Sequence, residues 1–285
     1  MPSLKAIRKR IGSIRNTQQI TKAMKMVSAA KLRRAQEAVL NARPYAEKMR
    51  SLLQNLSYRV AADAHPLLRS REEKRLDLIL LTADRGLCGG YNANLIRAAE
   101  RFMRGDAAGK ETHLILVGKK GIDYFRRRRI EAAERMNIGS SAAPVLAGEL
   151  AKIAIARFIG EHADATYVLY SRFRSALSQI PTIEKLLPVS RTADEAEGLP
   201  TEYLFEPGVQ ELLSSLLPKI VEVGIYHALL EAAASEHGAR MTAMDSATSN
   251  AAEIMGYLTL QMNRARQAAI TKELLEVVST AEALK

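Results

Sequence analysis

The sequence predicts an α/β protein: two long terminal helices form an antiparallel left-handed coiled coil, and a small α/β domain with a mostly parallel sheet is inserted between them. Three observations lead to this fold class. Residues 219–285 run without a proline and carry small or apolar side chains at unbroken three-and-four spacing. Residues 4–56 carry a second apolar stripe. Between them, short apolar runs alternate with amphipathic stretches, the pattern of strands and helices in a parallel sheet.

The C-terminal helix is predicted from seven heptads. A period of 3.5 residues makes a stripe that wraps slowly around a helix, so this stretch should enter a left-handed coiled coil roughly 100 Å long at 1.5 Å per residue. Ala, Met, Thr and His replace the usual Leu and Ile, which predicts a thin seam that holds its partner weakly. The predicted seam residues are Ile220, Val223, His227, Leu230, Ala234, His237, Met241, Met244, Thr248, Ala251, Met255, Leu258, Met262, Ala265 and Ala269.

Apolar residues also lie outside this seam. A paired coiled coil buries only its seam, so these side chains should be bare unless another protein surrounds the helices. The residues concerned are Ile225, Leu229, Ile254, Leu260, Ile270 and Leu274.

The N-terminal helix is predicted from about Ser3 to about Tyr58, with a bend at Pro44. Its stripe begins with Leu4, Ile7, Ile11 and Ile14. We expect the stripe then to shift phase, passing through Ile20, Met24 and Val27 before it continues with Leu32, Ala35, Val39, Ala42, Ala46, Met49, Leu53 and Leu56.

The middle of the chain predicts the inserted domain. Buried strands are expected at 76–82, 113–117, 165–170 and 183–189, and helices at 91–103, after Gly118 and at 145–162. The predicted division is therefore an N-terminal coiled-coil helix at 1–59, a connection at 60–75, a Rossmann-like domain at 76–206 and a C-terminal coiled-coil helix at 207–285.

The net charge of +11 is concentrated in the first helix. Residues 1–60 contain 14 Lys or Arg against two Glu, whereas residues 207–285 contain six against nine acidic residues. The opposite signs favour pairing of the two helices. A basic helix also fits nucleic acid, an anionic membrane or an acidic protein surface, and charge alone leaves these partners open.

The glycine-rich turn after the first strand contains Gly86, Gly89 and Gly90. A nucleotide phosphate could bind at such a turn, but the spacing matches neither the dinucleotide fingerprint nor a P-loop. A structural tight turn with positive φ is the preferred interpretation. The run at 126–129, four arginines, is interpreted as a solvated face or a protein contact rather than a nucleic-acid site, because few aromatic residues accompany it.

No catalytic, cofactor or metal site is predicted. The single cysteine, Cys88, excludes an internal disulfide and a thiolate cluster, and the five histidines lack ligand spacing. Polar residues are scattered over helices that cannot enclose a pocket, so we expect a chain that is not an enzyme by itself. A membrane span and a signal peptide are not expected either, because the apolar runs are too short for both.

Three blocks of the sequence together resemble a known family. They are Ile-Thr-Lys-Ala-Met at 20–24 with Ala-Lys-Leu-Arg-Arg-Ala-Gln at 30–36, the turn Asp-Arg-Gly-Leu-Cys-Gly-Gly-Tyr-Asn at 84–92, and Ser-Glu-His-Gly-Ala-Arg-Met-Thr-Ala-Met-Asp at 235–245 with Ala-Arg-Gln-Ala-Ala-Ile-Thr-Lys-Glu-Leu at 265–274. In order and spacing they resemble the gamma-subunit family of F-type ATP synthases, of bacterial type, over essentially the whole chain.

This resemblance implies a non-catalytic rotor shaft. The paired helices would stand inside the catalytic hexamer of alpha and beta subunits, and the α/β domain would lie against the epsilon subunit and the c-subunit ring, with one copy per complex. The complex would lie at the cytoplasmic face of the bacterial membrane, where this chain would be peripheral. Residues implied to contact the beta subunits are Arg266, Gln267, Thr271, Met24, Lys22 and Lys25.

The rival hypothesis is a basic coiled-coil adaptor for nucleic acid or an anionic membrane surface, with an α/β domain that binds a small ligand. The proteins or nucleic acids that co-purify with the chain would separate the two hypotheses. The chloroplast type of gamma chain has a regulatory cysteine pair, which a chain with Cys88 alone cannot form.

Overall fold

The computed structural model describes residues 4–57, 65–139, 143–189 and 208–283. Long helices stand at both ends: α1 (Leu4–Ser57) and α5 (Val209–Ala283). Between them lie a short 3₁₀ helix (Pro66–Leu68), β1 (Arg75–Leu81), α2 (Tyr91–Arg104), β2 (Glu111–Val117), α3 (Lys119–Arg127), β3 (Glu134–Met136), α4 (Ala143–Ile159), β4 (Ala165–Phe173) and β5 (Gln179–Leu187). The predicted order of helix, α/β insertion and helix is confirmed.

The sheet has five strands in the order β3-β2-β1-β4-β5. β1 pairs in parallel with β2 and β4, β2 pairs in parallel with β3, and β5 alone runs antiparallel, beside β4. The mostly parallel sheet is therefore confirmed. The three-residue strand β3 and the 3₁₀ helix were not predicted, because both are too short to leave a periodic signal.

Side chains of β1 alternate between two buried clusters, as the period of two requires. Leu78 and Leu80 join α2 and α3 on one face, and Ile79 and Leu81 join α4 and α5 on the other. Asp77 is fully buried on the α4 side, where Arg157 donates two hydrogen bonds of 2.7 and 2.9 Å to its carboxylate. This pair lets a charge lie within the core.

The first half of α5 belongs to this core. Leu213, Leu217, Val221 and Ile225 are at most 1% exposed and pack in the cluster that contains α4. α5 begins at Val209, within the C-terminal segment predicted at 207–285, and it continues through Pro218, which precedes the heptad stretch. The expectation that Ile225 and Leu229 are bare is therefore wrong, because the sheet covers the face of α5 opposite the predicted seam.

Contacts divide the chain into two compact units. One contains residues 1–28 with 241–285, and the other contains residues 29–240. The predicted boundaries at 59, 75 and 206 stay a prediction. The predicted connection at 60–75 lies partly outside the described residues, and a polar connection that the sequence predicts at 190–202 lies wholly outside them.

Candidate functional site

The helix pair of the smaller unit runs antiparallel. The hydroxyl oxygens of Thr21 and Thr248 lie 2.8 Å apart, and the Lys25 ammonium donates to Asp245 at 2.6 Å. Lys25 follows Thr21 along α1, whereas its partner Asp245 precedes Thr248 along α5. The two helices therefore run in opposite directions. Every predicted seam residue of α5 from Met244 to Ala269 is buried or half-buried, and Met244, Ala251 and Leu258 are 5–7% exposed. The predicted heptad is confirmed here.

The seam of α1 keeps one phase instead of shifting. It passes through Gln18, Thr21 and Ser28, of which Thr21 is 8% and Ser28 3% exposed. Ile20 and Val27 are more than half exposed, so the predicted phase shift is wrong. Small polar residues can line this seam because their hydroxyls find partners there, as Thr21 does in Thr248.

The exposed surface of α5 in this unit contains many large apolar side chains besides its polar ones. Among the residues from 254 to 280, eight of them are about half exposed or more: the expected Ile254, Leu260, Ile270 and Leu274, and also Tyr257, Leu275, Val277 and Val278. Large exposed apolar patches mark interaction surfaces. The arrangement suits a helix pair that another protein surrounds.

The predicted contact residues have different surroundings. Arg266, Gln267 and Thr271 are all exposed, and the Thr271 hydroxyl donates to the Gln267 carbonyl one turn earlier at 2.9 Å. Lys22 is exposed. Met24 is half-buried, and Lys25 is half-buried and paired with Asp245.

The glycine-rich turn follows β1, within the larger unit. Gly89 has a φ of 56°, and the exposed Leu87 has a φ of 62°. Gly90 has a φ of −81° and precedes α2, and Gly86 is also outside the left-handed region. Of the three predicted glycines, Gly89 alone has the positive φ that was expected of all of them.

The place where α/β proteins of this topology bind ligands is filled by α5. The strand order reverses between β1 and β4, and ligands bind at the carboxyl ends of such strands. Here Ser235 donates to the Ser171 carbonyl at 2.7 Å, Glu231 accepts from the Phe173 amide at 2.7 Å, and the Tyr91 hydroxyl donates to the Ala232 carbonyl at 3.2 Å. The helix thus takes the position that a ligand would occupy at this end of the sheet.

Arg240 binds the glycine-rich turn to α5, which sequence reasoning missed. Its guanidinium is close to the carbonyl oxygens of Arg85 and Gly86, each at 3.3 Å, and pairs with Glu236 at 2.7 Å. Arg240 is only 8% exposed. The sequence offered one indication of this contact: Arg240 lies in a largely apolar stretch, where a buried charge needs polar partners.

His237 lies beside this arginine. Its Nδ1 is 3.3 Å from an Arg240 nitrogen, and because a guanidinium can only donate, Nδ1 accepts and the ring is neutral. Burial, followed by the charges of Arg240 and Lys31, lowers the pKa of His237 to about 4.

The described residues contain no group of three or more His, Cys, Asp or Glu placed to hold a metal ion. By length and composition, one described helix could cross a membrane, the Glu211–Thr280 part of α5. Core helices pass the same test, and the burial of Leu213, Leu217 and Val221 accounts for its apolar character within the fold.

The chain is similar to known proteins along its whole length. The family model described as ATP synthase matches residues 3–284. The chain is 50% identical over 287 residues to an ATP synthase gamma chain of Geobacter sp. strain M21, and 48% identical over 294 residues to one of Anaeromyxobacter sp. strain Fw109-5, covering the whole of both chains in each case.

Solved structures share the fold. A chain of the Euglena gracilis mitochondrial ATP synthase in rotational state 3 matches 99% of this chain and 94% of its own length, with a TM-score of 0.71 and 20% identity. A chain of the Tetrahymena thermophila mitochondrial ATP synthase central stalk and c-ring covers 80% of this chain and 99% of its own, with a TM-score of 0.61 and 24% identity. These structures show a shared fold, and the family model together with the full-length relatives shows that the chain belongs to the family of ATP synthase gamma chains.

Proposed function

We propose that this chain is the central rotor shaft of a bacterial F-type ATP synthase. It couples ion flow through the membrane sector to ATP synthesis or hydrolysis in the catalytic hexamer, and it carries no catalytic site of its own. The observation that carries the proposal is full-length identity of 48–50% to bacterial gamma chains. The antiparallel helix pair and the exposed large apolar side chains of α5 support it.

A rotation assay tests the proposal directly. The Leu177 side chain is 83% exposed, so a Leu177→Cys variant in a Cys88→Ala background offers one attachment point for a bead. Alpha and beta subunits of the same source are assembled around this chain and fixed to a surface. We expect ATP to drive rotation of the bead in one direction. Hydrolysis without rotation would contradict the shaft role, and turnover by the pure chain above a mock preparation would contradict its non-catalytic role.

The partners follow from the same role. The alpha and beta subunits surround the helix pair, and the epsilon subunit and the c-subunit ring hold the α/β domain. The complex is membrane-associated, and this chain lies at its cytoplasmic face without spanning the membrane. The exposed cations of α1 suit acidic loops of surrounding subunits, since screened charge attraction can be broken at each step.

The contact with the beta subunits is proposed at Arg266, Gln267 and Thr271, with Lys22, Met24 and Lys25 elsewhere on the shaft. The first three are exposed and lie within little more than one helical turn, so they can reach a single loop. Lys25 must share its charge with Asp245, so Lys22 is the freer of the two lysines.

A triple substitution tests this contact. We expect Arg266→Ala with Gln267→Ala and Thr271→Ala to leave the complex intact but to reduce ATP-driven ion pumping sharply, since Ala maintains the helix. The matched control replaces three exposed polar residues of the same helix, Ser249→Ala with Asn250→Ala and Glu253→Ala. Equal rates of ion pumping by the two variants would show that Arg266, Gln267 and Thr271 have no special role in the contact.

A further inference from the structure

Helices α2 and α3 carry a set of exposed arginines that the shaft role does not use. On α2, Arg97, Arg101 and Arg104 follow at spacings of four and three and so lie on one stripe. The end of α3 and the turn after it add four more. We call this set the arginine face: Arg97, Arg101, Arg104, Arg126, Arg127, Arg128 and Arg129.

Contacts between the helices make the two parts one surface. The Tyr124 hydroxyl of α3 donates to Glu100 of α2 at 2.7 Å. The Arg128 guanidinium lies 3.9 Å from the centre of the Tyr124 ring and 3.8 Å from the Glu100 carboxylate. Burial and Glu100 raise the pKa of Tyr124, while the charges of Arg128 and Arg104 oppose that rise, so both arginines act at the same hydroxyl.

Only two of the seven arginines on this surface form an ion pair with an acidic side chain within the described residues. Glu100 pairs with Arg128, and Asp123 pairs with Arg126 at 2.9 Å. Within the described parts of the chain, no ion pair is formed by Arg101, Arg104, Arg127 or Arg129. Cations favour helix C-termini, which accounts for part of the set, but the arginines after the last turn of α3 lie beyond that effect.

The side chains around the arginine face indicate which kind of anionic partner it fits. Between residues 91 and 139, all of which are described, Ile130 is the one large apolar side chain that is exposed, at 37%. A protein interface usually has an apolar core depleted of charge, and single-stranded nucleic acid usually stacks on open aromatic rings. Tyr124 is half-buried and covered by Arg128. A broad cationic surface with four to eight Lys or Arg is what attracts anionic lipid headgroups.

We propose that the arginine face binds the surface of an anionic phospholipid bilayer by charge attraction. Such attraction is diffuse and screened, so a surface can slide over the headgroups while remaining near them. In a membrane-associated rotary complex it would steady the α/β domain without fixing its angle.

Vesicle co-sedimentation of the full chain tests the proposal, using phosphatidylcholine vesicles with and without phosphatidylglycerol at about 0.1 M salt, where the Debye length is roughly 10 Å. The test variant removes only arginines without an ion pair: Arg101→Gln, Arg104→Gln, Arg127→Gln and Arg129→Gln. Because α1 is also basic, the matched control removes four exposed charges there: Lys5→Gln, Arg8→Gln, Arg10→Gln and Arg15→Gln. A third variant replaces the same four arginines by lysine and preserves the charge.

We expect the test variant to bind phosphatidylglycerol vesicles at least tenfold more weakly, and the α1 control and the lysine variant to bind within threefold of the unchanged chain. Equal loss in the test variant and the α1 control would overturn the proposal in favour of unspecific charge. Loss in the lysine variant would overturn it in favour of a bidentate site. Binding to a polyglutamate peptide that the test variant loses, with vesicle binding unchanged, would overturn it in favour of an acidic protein partner.

Discussion

The Arg240 guanidinium of α5 lies 3.3 Å from the Gly86 carbonyl oxygen of the turn after β1, 154 residues away in the chain. It also approaches the Arg85 carbonyl and pairs with Glu236 one helical turn earlier. These contacts attach the α/β domain to the shaft helix at the sheet edge where a ligand would otherwise bind. The sheet and α5 are therefore joined by buried polar contacts as well as by apolar packing.

Replacing this arginine tests the attachment. Arg240→Ala leaves two carbonyls and the half-buried Glu236 without their partner, so we expect a loss of about 3 kcal/mol in the free energy of unfolding, measured by denaturant titration. Hydrogen exchange in residues 85–89 should accelerate more than exchange in β2. The exposed Arg264 on the same helix is the control, and a similar loss in Arg264→Ala would contradict the special role of Arg240.

Gly118, between β2 and α3, is required by backbone geometry. Its φ is 93°, and a Cβ there would lie 2.0 Å from the Thr82 carbonyl oxygen. The Thr82 hydroxyl at the same point donates towards the Val117 carbonyl and accepts from the Gly121 amide, so the backbone cannot move away cheaply. We expect Gly118→Ala to destabilise the chain by at least about 3 kcal/mol.

Gly109→Ala is the matched control for this prediction. Gly109 also has a positive φ, 79°, but nothing lies within 4 Å of the position of its Cβ. Gly109→Ala should lower the free energy of unfolding by the backbone strain alone, about 1 kcal/mol. Thermal unfolding of the two variants separates strain from collision, and similar melting temperatures would show that the approach of Thr82 does not matter.

The buried face of a helix could be predicted from the sequence where a single periodic pattern of apolar residues dominates. The α5 seam was predicted correctly beyond residue 243, because there one helix faces another and the rest of its surface is free. It was incomplete at 213–232, where α5 is apolar on several faces and the sheet covers a face that the heptad does not include, with Ile225 fully buried. Periodicity cannot tell which of two apolar faces has a partner.

The site was harder to predict because its contacts join distant residues. Thr21 and Ser28 continue the α1 seam although they are polar, and Thr21 can do so because its hydroxyl meets that of Thr248, a neighbour that only the fold supplies. Arg240 likewise depends on carbonyls of the glycine-rich turn. The contact residues Arg266, Gln267 and Thr271 came from family resemblance, and their role stays a prediction.

The phase of the α1 seam can be tested by one pair of substitutions. Ile7 is 5% exposed and Ile20 is 60% exposed. We expect Ile7→Ser to destabilise the helix pair by about 2 kcal/mol and Ile20→Ser by less than about 0.5 kcal/mol, measured as hydrogen exchange of amides 10–28 in the free chain. Equal protection in both variants would favour a seam that includes Ile20.

The last prediction concerns pH. Burial and the nearby charges of Arg240 and Lys31 lower the pKa of His237 to about 4, against about 6.5 in an unfolded chain. Between these values the unfolded chain binds a proton that the folded chain does not, so stability falls as the pH falls from 6.5 towards 4. Glu236 is the acidic residue next to His237 in the sequence, but its carboxylate is paired with Arg240.

We expect His237→Gln, which takes up no proton, to reduce the stability difference between pH 7 and pH 5 by on the order of 1 kcal/mol. Denaturant titrations at the two pH values measure this difference. His162→Gln, at an exposed histidine, is the control. If both variants keep the full pH dependence of the unchanged chain, the acid sensitivity arises elsewhere and His237 is not its source.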